Sequence, residues 1–165
     1  MSPMRPAPIV LSGLLCLCLS AQSPQSTPAP AARAAPSLPA DPARLLGMTL
    51  AQCWDVFGPP ARVYPLRGGE PWQDDVVFEY AGGFSLFWYR DRLWQLRFGQ
   101  GYPDPVYGVT LGEAAERLGS LLGQSAFSIG DSPVYDLPDQ GYPVRLRALV
   151  EEGKVAELYI YRADF

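Results

Sequence analysis

Two stretches of the chain carry the same succession of hydrophobic patterns. Leu50, Cys53, Trp54 and Phe57 recur at i, i+3, i+4 and i+7, and so do Leu111, Ala114, Ala115 and Leu118. That spacing predicts a short amphipathic helix in each place. Thr49 and Thr110 stand at the N-cap positions, with Gln52 and Glu113 three residues further on, which completes a capping box in both. Gly58 and Gly119 stop the helices at a left-handed cap, and Pro59-Pro60 prevent the first from continuing.

After each helix the period falls from 3.6 to 2. The first copy predicts strands over 76–80, 84–89 and 93–98, turned at Gly82-Gly83 and Arg90-Asp91-Arg92. The second predicts strands over 134–137, 144–150 and 155–161, with Glu152-Gly153 as a tight turn. Trp94, Leu96 and Phe98 should face the helix, as should Ala156, Leu158 and Ile160. Gln95, Arg97, Glu157 and Tyr159 should face away. The expected fold class is therefore α+β: two tandem repeats, 44–106 and 107–165, each a short helix followed by an antiparallel three-stranded meander. One such unit is marginal alone, so the two should share a core, either as one continuous sheet or as two packed sheets.

The N-terminal pattern is of another kind. Arg5 followed by the apolar run 9–19 and the small residues Ser20 and Ala21 reads as a secretory signal over 1–20. The run is too short for a spanning helix, which needs roughly 20 apolar residues. Leu15 and Leu17 precede Cys16 and Cys18, where a lipid-attachment motif wants a small residue, so no lipid anchor is expected. Residues 21–43 contain six Pro and eight Ala and predict an extended tether. The folded domain is expected over 44–165, in the periplasm or outside the cell, with association to the outer membrane open.

Composition narrows the chemistry. The 165 residues include 13 Lys+Arg, 17 Asp+Glu and no His, a net charge of −4. An acidic chain lacks the electrostatic footprint of nucleic-acid binding. Without His there is no Ser-His-Asp or Cys-His apparatus and no His-ligated metal. After signal removal Cys53 is the one cysteine left, and it reads as a buried helix thiol. Asp74 and Asp75 are adjacent on a predicted strand, so their side chains diverge. Asp131, Asp136 and Asp139 lack EF-hand spacing. No catalytic residue, cofactor site or metal site is expected, and the chain reads as a non-enzyme.

The stronger cue is aromatic. Residues 54–107 hold 14 aromatic side chains in 54 positions, and Phe87-Trp88-Tyr89 place large rings on both sides of one strand. That excess predicts either a sheet buried on both faces or a face that binds an envelope or secreted protein. The candidate anchors are Trp72, Trp88, Arg90, Arg92, Arg97 and Tyr159, since Trp, Tyr and Arg dominate binding hot spots.

The Gly47-Met48-Thr49 helix start, the run Phe57-Gly58-Pro59-Pro60-Ala61-Arg62-Val63 and the aromatic hairpins after it resemble the SmpA/OmlA family. Those are small envelope lipoproteins that help assemble outer-membrane β-barrel proteins. The resemblance covers about 50 residues of the first copy and only the helix and last strand of the second. The tandem arrangement is also similar to the beta-lactamase inhibitory protein type, in which two α+β repeats form an aromatic-rich sheet that clasps an enzyme. The SmpA/OmlA type has one copy and a lipidated Cys, and the inhibitor type has disulfides that this chain lacks. These resemblances imply a binding or scaffold domain of the bacterial envelope, assisting protein assembly. The alternatives are a secreted inhibitor of a hydrolase and a small-ligand or glycan-binding module.

Overall fold

A computed structural model describes residues 37–69 and 74–165. The expected signal, 1–20, and most of the expected tether lie outside the described residues. The packed chain starts before Arg44: a 3-10 turn spans Pro42–Leu45, and Pro42 and Ala43 are already buried.

The eight strands form one antiparallel sheet in the order β1-β2-β3-β4-β8-β7-β6-β5. In sequence they are β1 Arg62–Leu66, β2 Asp75–Tyr80, β3 Phe84–Tyr89 and β4 Arg92–Phe98, then β5 Phe127–Ile129, β6 Ser132–Leu137, β7 Val144–Glu151 and β8 Lys154–Arg162. The α-helices among the described residues are short: α1, Leu50–Phe57, and α2, Leu118–Leu122. This corrects the expected pair of helix-plus-three-strand modules. The molecule is dominated by a single continuous sheet, each half of the chain supplies four strands rather than three, and the helical content is small.

The extra strands lie at the two edges. Pro65 argues against a strand over 62–66, because it has no N–H to give a ladder. At an edge that donor is dispensable, and Pro65 pairs with Val76. The three residues of β5 are too few to show a period.

Helix α1 forms as its sequence predicts. The Gln52 N–H donates to Thr49 Oγ1 at 3.2 Å and the Thr49 N–H to Gln52 Oε1 at 2.9 Å. Gly58, at φ 68°, ends the helix. Cys53 and Phe57 are buried, but Trp54 is 53% exposed. The second helix does not start where the pattern places it. Thr110 and Glu113 keep half a capping box, the Thr110 N–H donating to Glu113 Oε1 at 2.9 Å. Gly112 at φ 84° then turns the chain away from helical geometry. The backbone pairs with β8 instead: Gly112 N–H to Val155 O, Val155 N–H to Glu113 O and Ala115 N–H to Gly153 O, all at 2.8–2.9 Å. Ala115–Arg117 is a 3-10 turn, and α2 begins only at Leu118.

One face of the sheet carries the core. Leu86, Leu96, Leu146, Leu158 and Ile160 are fully buried, together with Phe84 and Phe98. They cluster with Leu45, Leu46, Cys53, Phe57, Val109 and Leu118 from the segments outside the sheet. Gly83 lies where β2 turns into β3, at φ 78°, and a Cβ there would stand 2.3 Å from the Tyr102 backbone nitrogen. Only glycine fits that approach.

Two bulges alter the face assignment. Phe87 pairs with Gln95 and Trp88 with Leu93, so Trp94 is an extra residue in β4. Leu149 pairs with Glu157 and Val150 with Val155, so Ala156 is an extra residue in β8. A bulged residue leaves the alternation. Leu96, Phe98, Leu158 and Ile160 do face the core, whereas Trp94 and Ala156, expected beside them, are only half-buried. The Trp94 Nε1–H donates to Asp75 Oδ1 at 2.9 Å.

Candidate functional site

The opposite face of the sheet is where unusual chemistry gathers. Strand alternation puts Arg97 of β4, Tyr159 and Tyr161 of β8, and Arg145 and Arg147 of β7 on it. Register brings them into rows. Arg97 is opposite Tyr159, and Tyr159 is opposite Arg147. In the next row Gln95, Tyr161 and Arg145 follow one another in the same way. Neighbouring rings and guanidinium groups at this spacing touch directly.

The Arg147 guanidinium lies 4.8 Å from the centroid of the Tyr159 ring, and Arg145 lies 4.9 Å from that of Phe127. Such stacks add roughly 0.5–1 kcal/mol each when partly exposed. Arg145 also pairs with Asp136 at 3.0 Å, and Arg97 with Glu157 at 3.6 Å. The Tyr159 hydroxyl donates to Glu157. Burial, then the neighbouring Glu157 carboxylate, pushes the Tyr159 phenol up to about 12. Among the described residues Arg147 has no ion pair, and the Nε of Arg97 and of Arg147 have no hydrogen-bond partner. Arg97 is thus held by its ion pair with Glu157 and Arg147 by its stack on Tyr159, while part of the donor capacity of each is unused.

The six residues singled out from sequence separate. Arg97 and Tyr159 are adjacent in the central row. Trp88 is corrected: it is 1% exposed, packs on Phe78 at 5.5 Å and belongs to the core, so it is no surface anchor. Arg90, at φ 54°, is exposed in the β3–β4 turn with its guanidinium over Tyr89. Arg92 is exposed at the start of β4 and donates to Gly47 O at 3.4 Å, a contact that ties down the chain leading into α1. Trp72 lies outside the described residues. Arg145, Arg147 and Tyr161 complete the face. Their signal was present as period two: Arg145 and Arg147 alternate with Val144, Leu146 and Ala148, and Tyr159 and Tyr161 flank Ile160.

No protein-family model matches the chain, and no curated protein matches it. Three solved structures are similar to parts of it. An extracellular protein containing a SCP domain from Bacillus anthracis str. Ames is similar over 87% of this chain and 50% of its own, at 8% identity and a TM-score of 0.51. A cysteine-rich secretory protein from Staphylococcus aureus subsp. aureus Mu50 is similar over 73% of this chain and 44% of its own, at 12% identity and a TM-score of 0.48. A DUF4309 family protein from Bacillus subtilis subsp. subtilis str. 168 is similar over 69% and 78%, at 17% identity and a TM-score of 0.43. The chain spans about half the length of the first two. Among the described residues no helix is long and apolar enough to cross a membrane.

Proposed function

We propose that this protein is an exported, non-enzymatic binding domain of the bacterial cell envelope, engaging a protein partner through the Arg97–Tyr159–Arg147 row. The row itself carries the reading. Two guanidinium groups flank a tyrosine ring on the face away from the core, and Arg147 lacks a carboxylate partner among the described residues. Arg and Tyr are the side chains that most often concentrate binding energy, and an unneutralised guanidinium favours a partner that brings a carboxylate. Export is supported by the signal pattern of 1–20 and by the extracellular nature of the SCP-domain protein that shares the fold. Assistance to envelope protein assembly is the role that the SmpA/OmlA resemblance suggests for it.

The test is affinity capture from crosslinked envelopes with the full chain and with an Arg97→Ala/Arg147→Ala variant. A stoichiometric protein should be held by the native chain and depleted at least tenfold with the variant, while both melt within a few degrees of one another. Identical captured sets from the two would remove this face from the function.

A further inference from the structure

Beside the arginine row, on the same side of the sheet, lies a cleft of about 730 Å³ walled by Leu66, Tyr89, Trp94 and Phe165, with Asp75 among its lining. Its volume falls within the roughly 300–1,000 Å³ of small-molecule sites. The β4 bulge contributes to it by making Trp94 the extra residue. The Trp94 ring stacks on Phe165 with centroids 6.2 Å apart, and Tyr89 meets Phe165 edge-on at 5.9 Å.

Two carboxylates line this cleft, and they differ: Asp164 is paired with Arg162, and Asp75 is not paired with a cation among the described residues. Asp75 is 8% exposed. Its Oδ1 accepts from Trp94 Nε1–H. Among the described residues no cation pairs with it: Arg67 is bound to Asp74, Arg162 is bound to Asp164 and lies over one side of the Phe165 ring at 4.9 Å, and Arg90 lies over Tyr89. A carboxylate withdrawn from water without a counter-charge costs several kcal/mol, and burial does raise the Asp75 carboxyl above its ordinary value. Aromatic rings next to a buried carboxylate are the surroundings that a desolvated organic cation prefers.

We infer that this cleft is a binding site for a small organic monocation, an ammonium or guanidinium group on an apolar body, with Asp75 facing the charge and Trp94, Tyr89 and Phe165 holding the body. The site shares no charged residue with the arginine row, and either can fail without the other.

The test is heteronuclear NMR on the full chain, following the Trp94 indole N–H, assigned through Trp94→Phe. Phenethylammonium chloride is titrated against its uncharged analogue 2-phenylethanol. The cation should give a saturable shift at millimolar or lower concentration and bind at least tenfold more tightly than the alcohol. Asp75→Asn keeps an acceptor for Trp94 and should abolish that preference. Phe165→Ala, at a residue 55% exposed, should weaken cation binding several-fold. Equal binding of cation and alcohol, no saturable shift, or wild-type affinity in both variants would overturn the site.

Discussion

Tyr159 shows how one residue's surroundings set its chemistry. Its phenol is partly withdrawn from water and donates to Glu157, so the neutral form is favoured in the folded chain and ionisation is delayed to about 12. An unfolded tyrosine releases its proton near 10. The group therefore stabilises the fold fully below pH 10, and that contribution fades as pH rises from about 10 to about 12. Burial is the larger cause, so removing the carboxylate should reverse only the remaining part of the effect. In Glu157→Gln the phenol should ionise closer to pH 10, and Arg97 and Arg147, which both favour the ionised form, should help it down. A ¹³Cζ-tyrosine titration, assigned with Tyr159→Phe, reads this directly. An unmoved titration would mean that burial alone sets the shift and that Glu157 serves only to hold Arg97.

At the scale of elements, one pattern had two fates. The sequence 49–58 and the sequence 110–119 offer the same capping residues and the same apolar stripe, and only the first becomes the helix they specify. The difference lies in Gly112 and in β8. Glycine at the second helical position lowers the cost of leaving the helix, and the waiting backbone of Gly153 and Val155 supplies hydrogen bonds that local propensity cannot anticipate. Core strands were legible because Leu96, Phe98, Leu158 and Ile160 keep strict alternation. The edges were hidden by Pro65 and by the brevity of β5, and Trp94 and Ala156 were misplaced because a bulge leaves no mark in a two-residue period. Of the six residues the sequence offers for a binding face, Arg97 and Tyr159 are neighbours on the proposed one, and Trp88 lies in the core. The two threonines provide a test of the divergence. Thr49→Ala removes a hydroxyl that caps α1 and should cost about 1 kcal/mol. Thr110→Ala, at an exposed turn with no helix to cap, should cost no more than about 0.5 kcal/mol. Chemical denaturation of both variants checks the contrast, and equal losses would mean that the second box also stabilises a helix.

For the whole molecule the decisive contact is the pairing of β4 with β8, where Leu96 meets Ile160 and Phe98 meets Leu158. It joins the first four strands to the last four through the middle of the core, not through an outer edge. Two independent modules would melt separately, whereas halves that share their central residues should melt as one. The tryptophans make the difference measurable, because all four lie between residues 54 and 94 and report only on the first half. Leu146 is a fully buried residue of β7, in the other half. Truncating it to Ala should cost about 2–5 kcal/mol. If the sheet is one cooperative unit, Leu146→Ala must shift the tryptophan fluorescence transition by as much as it shifts the far-ultraviolet circular dichroism transition, although no tryptophan lies in the mutated half. A fluorescence midpoint that stays at its wild-type value while the dichroism midpoint falls would show that the first four strands hold together without the last four.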